Sequence, residues 1–408
     1  MYQLLFVLVV LSISCKQEKL INYSQQIKSD VVTLAADEYE GREVGTEGEK
    51  KAAEYISNRF SEIGITPKGT DGFLQSFFVK KTDNPHEKAE IKETGEDGIT
   101  GYNVIGMIDN AGDEMVIIGA HYDHLGMGGT SSLHRGDTAI HNGADDNASG
   151  VAAMLALAQK LKAVTSNRDI LFIAFSGEEK GLWGSNYFVK NPTIDLAKVN
   201  FMINMDMVGR LDTARGIAIS GTGTTPNWPD IIDTSNTEAL KVIMKESGVG
   251  PSDHTSFYLQ DIPVLHFFTG QHEDYHKPSD DPEKINFNGI LKISNVIENM
   301  VRSTDITEKM AFNKTKDESS RGPKFTVTLG VIPDYLYDGE GMRIDGISDD
   351  KPAQKAGILK GDIVIQMGDS TITNMMSYMR ALASFKKGDK TAVIVQREEE
   401  NVSVEVEF

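Results

Sequence analysis

Apolar positions follow two rhythms along this chain. Short continuous runs rich in β-branched and aromatic residues occur at 73–81, 102–108, 116–119, 169–179, 199–209, 216–223 and 262–270. Such runs, bounded by glycine and polar clusters, predict buried strands. Between them lie stretches with helical spacing. In 41–64, Ala52, Tyr55, Ile56, Phe60 and Ile63 recur every three or four residues up to Gly64. Segments 151–163, 237–248 (ending at Gly248) and 288–303, together with the stretch beginning at Gly181, read the same way. Strands alternating with helices predict an α/β domain, three layers (αβα) around a mostly parallel mixed sheet. Residues 82–100 are charged and predict an exposed loop.

The rhythm changes twice. Residues 16–30 are polar and read as a tether; residues 305–323 lose periodicity and read as a linker. Beyond them, FTVTLGV, GMRIDGI, DIVIQM, TAVIVQR and VSVEVEF alternate with period two, with short helices near 352–356 and 374–384. The organisation expected is therefore 1–15 leader, 16–30 tether, 31–304 α/β domain, 305–323 linker and 324–408 small β-rich domain.

Composition narrows the functional classes. The chain has 408 residues, enough for two domains with cores of their own. A formal net charge of −19 speaks against binding a phosphate backbone, so no nucleic-acid partner is expected. Residues 1–14, MYQLLFVLVVLSIS, are too short to span a bilayer and sit where a signal-peptide core sits. Cys15, the only cysteine, follows directly, which resembles the lipobox of a bacterial lipoprotein. Ser12 stands where leucine is usual, and no Lys or Arg precedes the apolar run. The expectation is export, with the protein anchored by an N-terminal lipid in a bacterial cell envelope. One cysteine excludes an intrachain disulfide.

The chemistry gathers at predicted strand ends. His121, Asp146, Glu179, Asp206 and His276 come from five separate segments of the α/β domain. Nitrogen and carboxylate donors without thiolates suit catalytic rather than structural zinc. Five donors are too many for one open ion but suit two if one carboxylate bridges, the arrangement of two-metal hydrolases. Glu178 is left over beside Glu179; in an extended segment it points the other way and is the natural general base. Asp123, two residues after His121, is expected to accept the imidazole's other N–H.

These residues lie in GAHYDHLG, NGADDNASG, FSGEEKGLWGS, NMDMVGR, SDHTSF and TGQHEDYHKPSDD. In that order the motifs resemble the co-catalytic di-zinc aminopeptidase family of the aminopeptidase Y type, over about residues 31–302. The resemblance implies two zinc ions per chain, with His121 and Asp206 on one, Glu179 and His276 on the other, and Asp146 bridging. It gives Glu178 the base role and lets Tyr275 hydrogen-bond the tetrahedral oxyanion. It also implies a cis peptide bond after Asp146. His124, His134, His141, His254, His266 and His272 receive no ligand role; His266 reads as a core residue, and Arg210 as a structural ion-pair partner. The C-terminal domain resembles a PDZ domain, with Leu329, Gly330 and Val331 where such domains bind a peptide C-terminus. The function expected is an exported zinc exopeptidase acting on N-terminal residues of peptides. The alternatives are a carboxypeptidase or dipeptidase with the same two-metal chemistry, and a catalytically silent PDZ-bearing surface adaptor.

Overall fold

The computed structural model describes residues 22–80, 90–316 and 326–408, apart from Tyr335, Asp338 and Asp349. The leader, Cys15 and the first part of the expected tether lie outside these residues. The described part of the tether is not one. Residues Tyr23–Leu34 form a helix, α1, capped by the Asn22 side chain, with Ile27, Val31 and Leu34 buried on one stripe. Three apolar residues at i, i+4 and i+7 suffice to hold a helix that is otherwise mostly polar. Helix α2 (Glu47–Ile63) starts at Thr46, whose hydroxyl accepts the Glu49 N–H. It stops at Gly64, whose left-handed conformation (φ 83°) lets its N–H turn back to the last turn.

The first domain then runs β1 (Leu74–Lys80), β2 (Gly98–Ile108), β3 (Met115–His121), α3 (Gly150–Lys162), β4 (Asp169–Phe175), α4 (Trp183–Lys190), β5 (Val199–Met205), β6 (Ile217–Ser220), α5 (Trp228–Ser235), β7 (Val242–Lys245), α6 (His254–Tyr258), β8 (Val264–Phe268) and α7 (Phe287–Thr304). Sheet order is β1-β2-β4-β3-β5-β8-β6-β7, with Ile91–Lys92 added beside β1 and Thr66–Pro67 beside β2. The four central strands β4, β3, β5 and β8 are mutually parallel, and antiparallel pairings flank them. Every residue of β3, β4 and β5 is buried, as central parallel strands covered on both faces require. Helices α1, α2, α3, α5 and α7 share one apolar layer with the sheet, and α4 and α6 the other, giving the expected three layers.

Three local expectations fail. Segment 237–248 is not a helix: Val242–Lys245 pairs parallel with β6, so pairing overrides the helical propensity of its Glu, Ala, Leu and Lys. The helix comes earlier, at Trp228–Ser235, begun by Pro229 in its first turn. Within the expected loop 82–100, residues 81–89 are not described, but Ile91–Lys92 adds to the sheet and β2 begins at Gly98. The first part of the expected linker packs on the domain. Met310 joins the main core, Phe312 meets Tyr258 at 5.4 Å between ring centroids, and the Asn313 N–H bonds the Thr224 carbonyl at 2.7 Å.

The C-terminal domain contains β9 (Val331–Pro333), β10 (Met342–Ile347), α8 (Pro352–Lys355), β11 (Ile363–Met367), α9 (Met375–Leu382), β12 (Lys390–Arg397) and β13 (Glu400–Glu407). Its strands pair in that order, all antiparallel, around a separate core. The domains touch where Arg215 Nη2 meets Asp334 (2.9 Å) and Asp345 (2.7 Å), and Leu336 packs with Ala218 and Ile243.

Candidate metal centre

Register brings the chemistry together. His121 is the last residue of β3 and lies opposite Phe175, the last of β4. Asp206 follows the end of β5, and Phe267 on β8 pairs with Met205. The carboxyl ends of four parallel strands thus form one rim, the usual position of a site in such sheets.

On this rim the five expected ligands converge. His121 Nε2 lies 3.3 Å from Asp206 Oδ1 and 3.4 Å from Asp146 Oδ1. His276 Nε2 lies 3.2 Å from Glu179 Oε2 and 3.4 Å from Asp146 Oδ2. Asp146 therefore turns one oxygen to each histidine. Zinc–nitrogen and zinc–oxygen bonds of about 2.0–2.1 Å in a tetrahedron separate the donor atoms by roughly 3.3–3.4 Å. All four distances match that edge, so the donor set fits two zinc ions sharing Asp146.

The surrounding chain fixes each donor. The Asp146–Asn147 peptide bond is cis, as expected. Asn147 Nδ2 donates to the Met205 carbonyl, and its Oδ1 accepts the Gly150 and Met207 N–H groups. Asp280 Oδ2 accepts the N–H groups of Asp145 and Asp146. Gly143 tolerates no side chain: its φ is +55°, and a Cβ would fall 2.1 Å from the Asp146 carbonyl oxygen. His276 Nδ1 faces the Ser131 carbonyl at 2.9 Å.

Asp123 lies beside His121 Nδ1 as expected, but with two oxygens in reach. The atom nearest His121 Nδ1 is the Asp123 backbone oxygen (3.2 Å), with the carboxylate Oδ1 at 3.7 Å. That carboxylate also accepts the Glu178 backbone N–H at 3.1 Å, so Asp123 ties the end of β3 to the Glu178-Glu179 turn.

By proximity of donor atoms the clusters are His121–Asp146–Asp206 and His124–Asp146–Glu179, the second taking His124 where the sequence expected His276, and Glu178 belongs to neither. Burial raises its carboxyl well above the usual range; Asp206, Glu179 and Asp253 add to the rise, and His121 opposes it. Glu179 goes the other way. Burial and Asp146 push it up, but hydrogen bonds from His124 and His276 win and hold it at about 2. Tyr275 stacks on His276 (centroids 3.8 Å apart), and burial, with the carboxylates of Asp146, Glu179, Glu178 and Asp206, raises its phenol.

Two contributors were missed in the sequence. Arg42 is fully buried and donates to the carbonyls of Leu34, Tyr122, Asn142 and Gly143, tying the segment before α2 to both loops of the site. A lone arginine after a glycine carries no signal of this. His124, left without a role, has Nδ1 2.9 Å from Glu179 Oε1; its signal was adjacency to the His-x-Asp triplet. Arg210 is the expected ion-pair partner, bonded to Asp274 at 3.0 Å, and His272 faces Asp145 at 3.1 Å. His266 is buried as expected and stacks on His254. In the small domain, Leu329 is a core residue and the Gly330 N–H already bonds Thr328 Oγ1, so that N–H is not free for a peptide carboxylate.

Comparison with known proteins fits this geometry. Residues 103–301 match Peptidase family M28 and residues 311–408 match the PDZ domain family. The chain thus carries a domain matching Peptidase family M28, followed by one matching the PDZ family. It is 29% identical over 257 residues to aminopeptidase YwaD of Bacillus subtilis, covering 58% of this chain and 53% of that protein. It is 27% identical to leupeptin-inactivating enzyme 1 of Streptomyces exfoliatus, covering 63% and 50%. The chain thus spans about half the length of these curated relatives. Among solved structures, the zinc aminopeptidase BSAP of Bacillus subtilis superposes with a TM-score of 0.54 at 18% identity, over 72% of this chain and 99% of that one. A Bacteroides thetaiotaomicron glutaminyl cyclase reaches the same score at 16% identity, over 68% and 97%. At such identities the likeness concerns the fold.

Proposed function

We propose that the protein is an exported zinc exopeptidase that removes N-terminal residues from peptides. The observation that carries this is the pair of donor groups sharing Asp146 at tetrahedral spacing, with an unligated glutamate beside them. His121, Asp206 and Asp146 would hold one zinc, and His276, Glu179 and Asp146 the other. Bound together, such ions supply Lewis acidity and an activated water. Glu178 takes the proton of the attacking water and returns it to the departing amino group, a role supported by its place beside His121, Asp206 and Glu179 and outside the donor groups. Tyr275 donates to the substrate carbonyl oxygen as charge builds there. The aminopeptidase and zinc aminopeptidase names borne by relatives support the substrate class.

The test is a panel of aminoacyl and N-blocked peptides with chelated and zinc-reloaded protein. Chelation is expected to abolish cleavage, zinc to restore it, and blocking the amine to prevent it. Equal cleavage of N-blocked peptides would favour a carboxypeptidase. No cleavage by zinc-loaded protein would favour an adaptor.

We further propose that Cys15 carries a lipid anchoring the protein in a bacterial envelope, on the strength of the apolar run before it. Cys15→Ser is expected to move the protein from the membrane to the soluble fraction; unchanged fractionation would rule the anchor out. The PDZ domain is proposed to bind peptides without supplying catalytic groups, with the carboxylate held elsewhere than on the Gly330 N–H, which Thr328 already occupies.

A further inference from the structure

We infer that His124 is a positioning residue for one half of the metal centre: it grips the free oxygen of Glu179 so that the other oxygen faces His276. The inference rests on the metallopeptidase reading above. Its observation is a difference in distances. The four separations between donor atoms run from 3.2 to 3.4 Å, as around zinc, whereas His124 Nδ1 to Glu179 Oε1 is 2.9 Å, an ordinary hydrogen bond. His124 Nδ1 to Asp146 Oδ2 is 3.8 Å, too long for a shared tetrahedral edge. The contact also reaches the oxygen that His276 does not face. A ligand would crowd the same side of the carboxylate; a support takes the opposite side.

The ring is held for this task. It is fully buried, with its backbone N–H on the Arg42 carbonyl and its Cδ2 and Cγ against Gly143, where a Cβ would lie 2.6 Å away. It meets His276 edge-on, centroids 5.8 Å apart. Asp123 accepts the backbone N–H of Glu178 while His124 donates to the side chain of Glu179. Two consecutive residues after β3 thus brace two consecutive glutamates after β4. Asp206, in the other half, has no histidine brace of this kind among the described residues.

Supports that orient a ligand are worth about 10–100-fold in metal affinity. Zinc binding by the full chain and its variants, read by competition with a chromophoric chelator and by elemental analysis, tests the assignment. His124→Ala is expected to bind one zinc as the wild type does and the second about 10–100-fold more weakly. His124→Asn puts an amide N–H near the Nδ1 position and is expected to recover most of that loss. His124→Gln places its amide farther out and is expected to resemble His124→Ala. Thermal unfolding of the metal-free proteins checks that all fold. Should His124→Ala not fold, the Asn–Gln comparison carries the test. Unchanged zinc binding in His124→Ala, or Asn no better than Gln, overturns the inference. Wild-type protein that takes up no zinc overturns the metallopeptidase reading with it.

Discussion

Glu178 and Glu179 share a turn but not an environment. Glu179 Oε2 lies against His276 and Oε1 against His124, so an amide there removes a ligand charge and turns an NH2 toward a donor. Glu178 makes no such contact, its carboxyl lying among Asp206, Glu179 and Asp253. Glu178→Gln is therefore expected to keep both zinc ions and lose at least about a hundredfold in turnover. Glu179→Gln is expected to lose zinc. Elemental analysis beside steady-state kinetics separates the two, and metal loss in both would reverse the assignment. Four of the donors were legible because each ends or follows an apolar run that had to be a strand, and Asp146 because NGADDNASG leads into the helix at 150. His124 was not. Its partner lies 55 residues downstream, and only the sheet register brings them together.

Secondary structure was legible where burial is two-sided and the runs are long, as in β3, β4 and β5. It was misread where an element is short or owes its form to a neighbour. VIMK is a strand because β6 offers it an edge, and α1 is a helix because α3 and α7 cover its single apolar stripe. Arg42 shows the same dependence. An arginine in a glycine-rich stretch reads as surface, yet burial lowers its pKa to about 10 while Asp123, Asp146, Asp280 and Glu179 pull back. It stays cationic and crosses from the end of α1 to the loops after β3 and before α3. Arg42→Met is expected to cost about 3–5 kcal/mol, because four buried carbonyls lose their donor. Chemical denaturation of the metal-free protein measures it; a loss under about 1 kcal/mol would show that water replaces the guanidinium.

At the scale of the molecule, the domain boundary falls later than the loss of periodicity at residue 305 suggests. Residues 306–315 form a strap: Met310 is buried, Thr315 bonds the Tyr258 hydroxyl and the Gly248 N–H, and Arg168 donates to the Thr304 and Thr307 carbonyls. A chain ending at residue 316 is expected to fold and to match the full chain on short aminoacyl substrates, since all proposed catalytic groups precede it. A chain ending at 304 is expected to melt about 5 °C lower, having lost the strap's apolar cover. Calorimetry of the two truncations decides, and equal melting temperatures would make the strap ornamental. The arginine inside the first domain has a consequence for time as well as stability. Its carbonyl partners beyond Leu34 stand 80, 100 and 101 positions later in the chain. Helix α2 can coil soon after synthesis, but the turn leading into it stays unlocked until residue 143 has emerged and the loop has closed. Closures over so much chain are expected to form late, and Arg42→Met is then expected to raise the unfolding rate more than it lowers the folding rate. Stopped-flow kinetics checks this; an effect confined to folding would place the closure before the barrier. On that expectation the guanidinium that braces the site loops governs how long a folded molecule lasts.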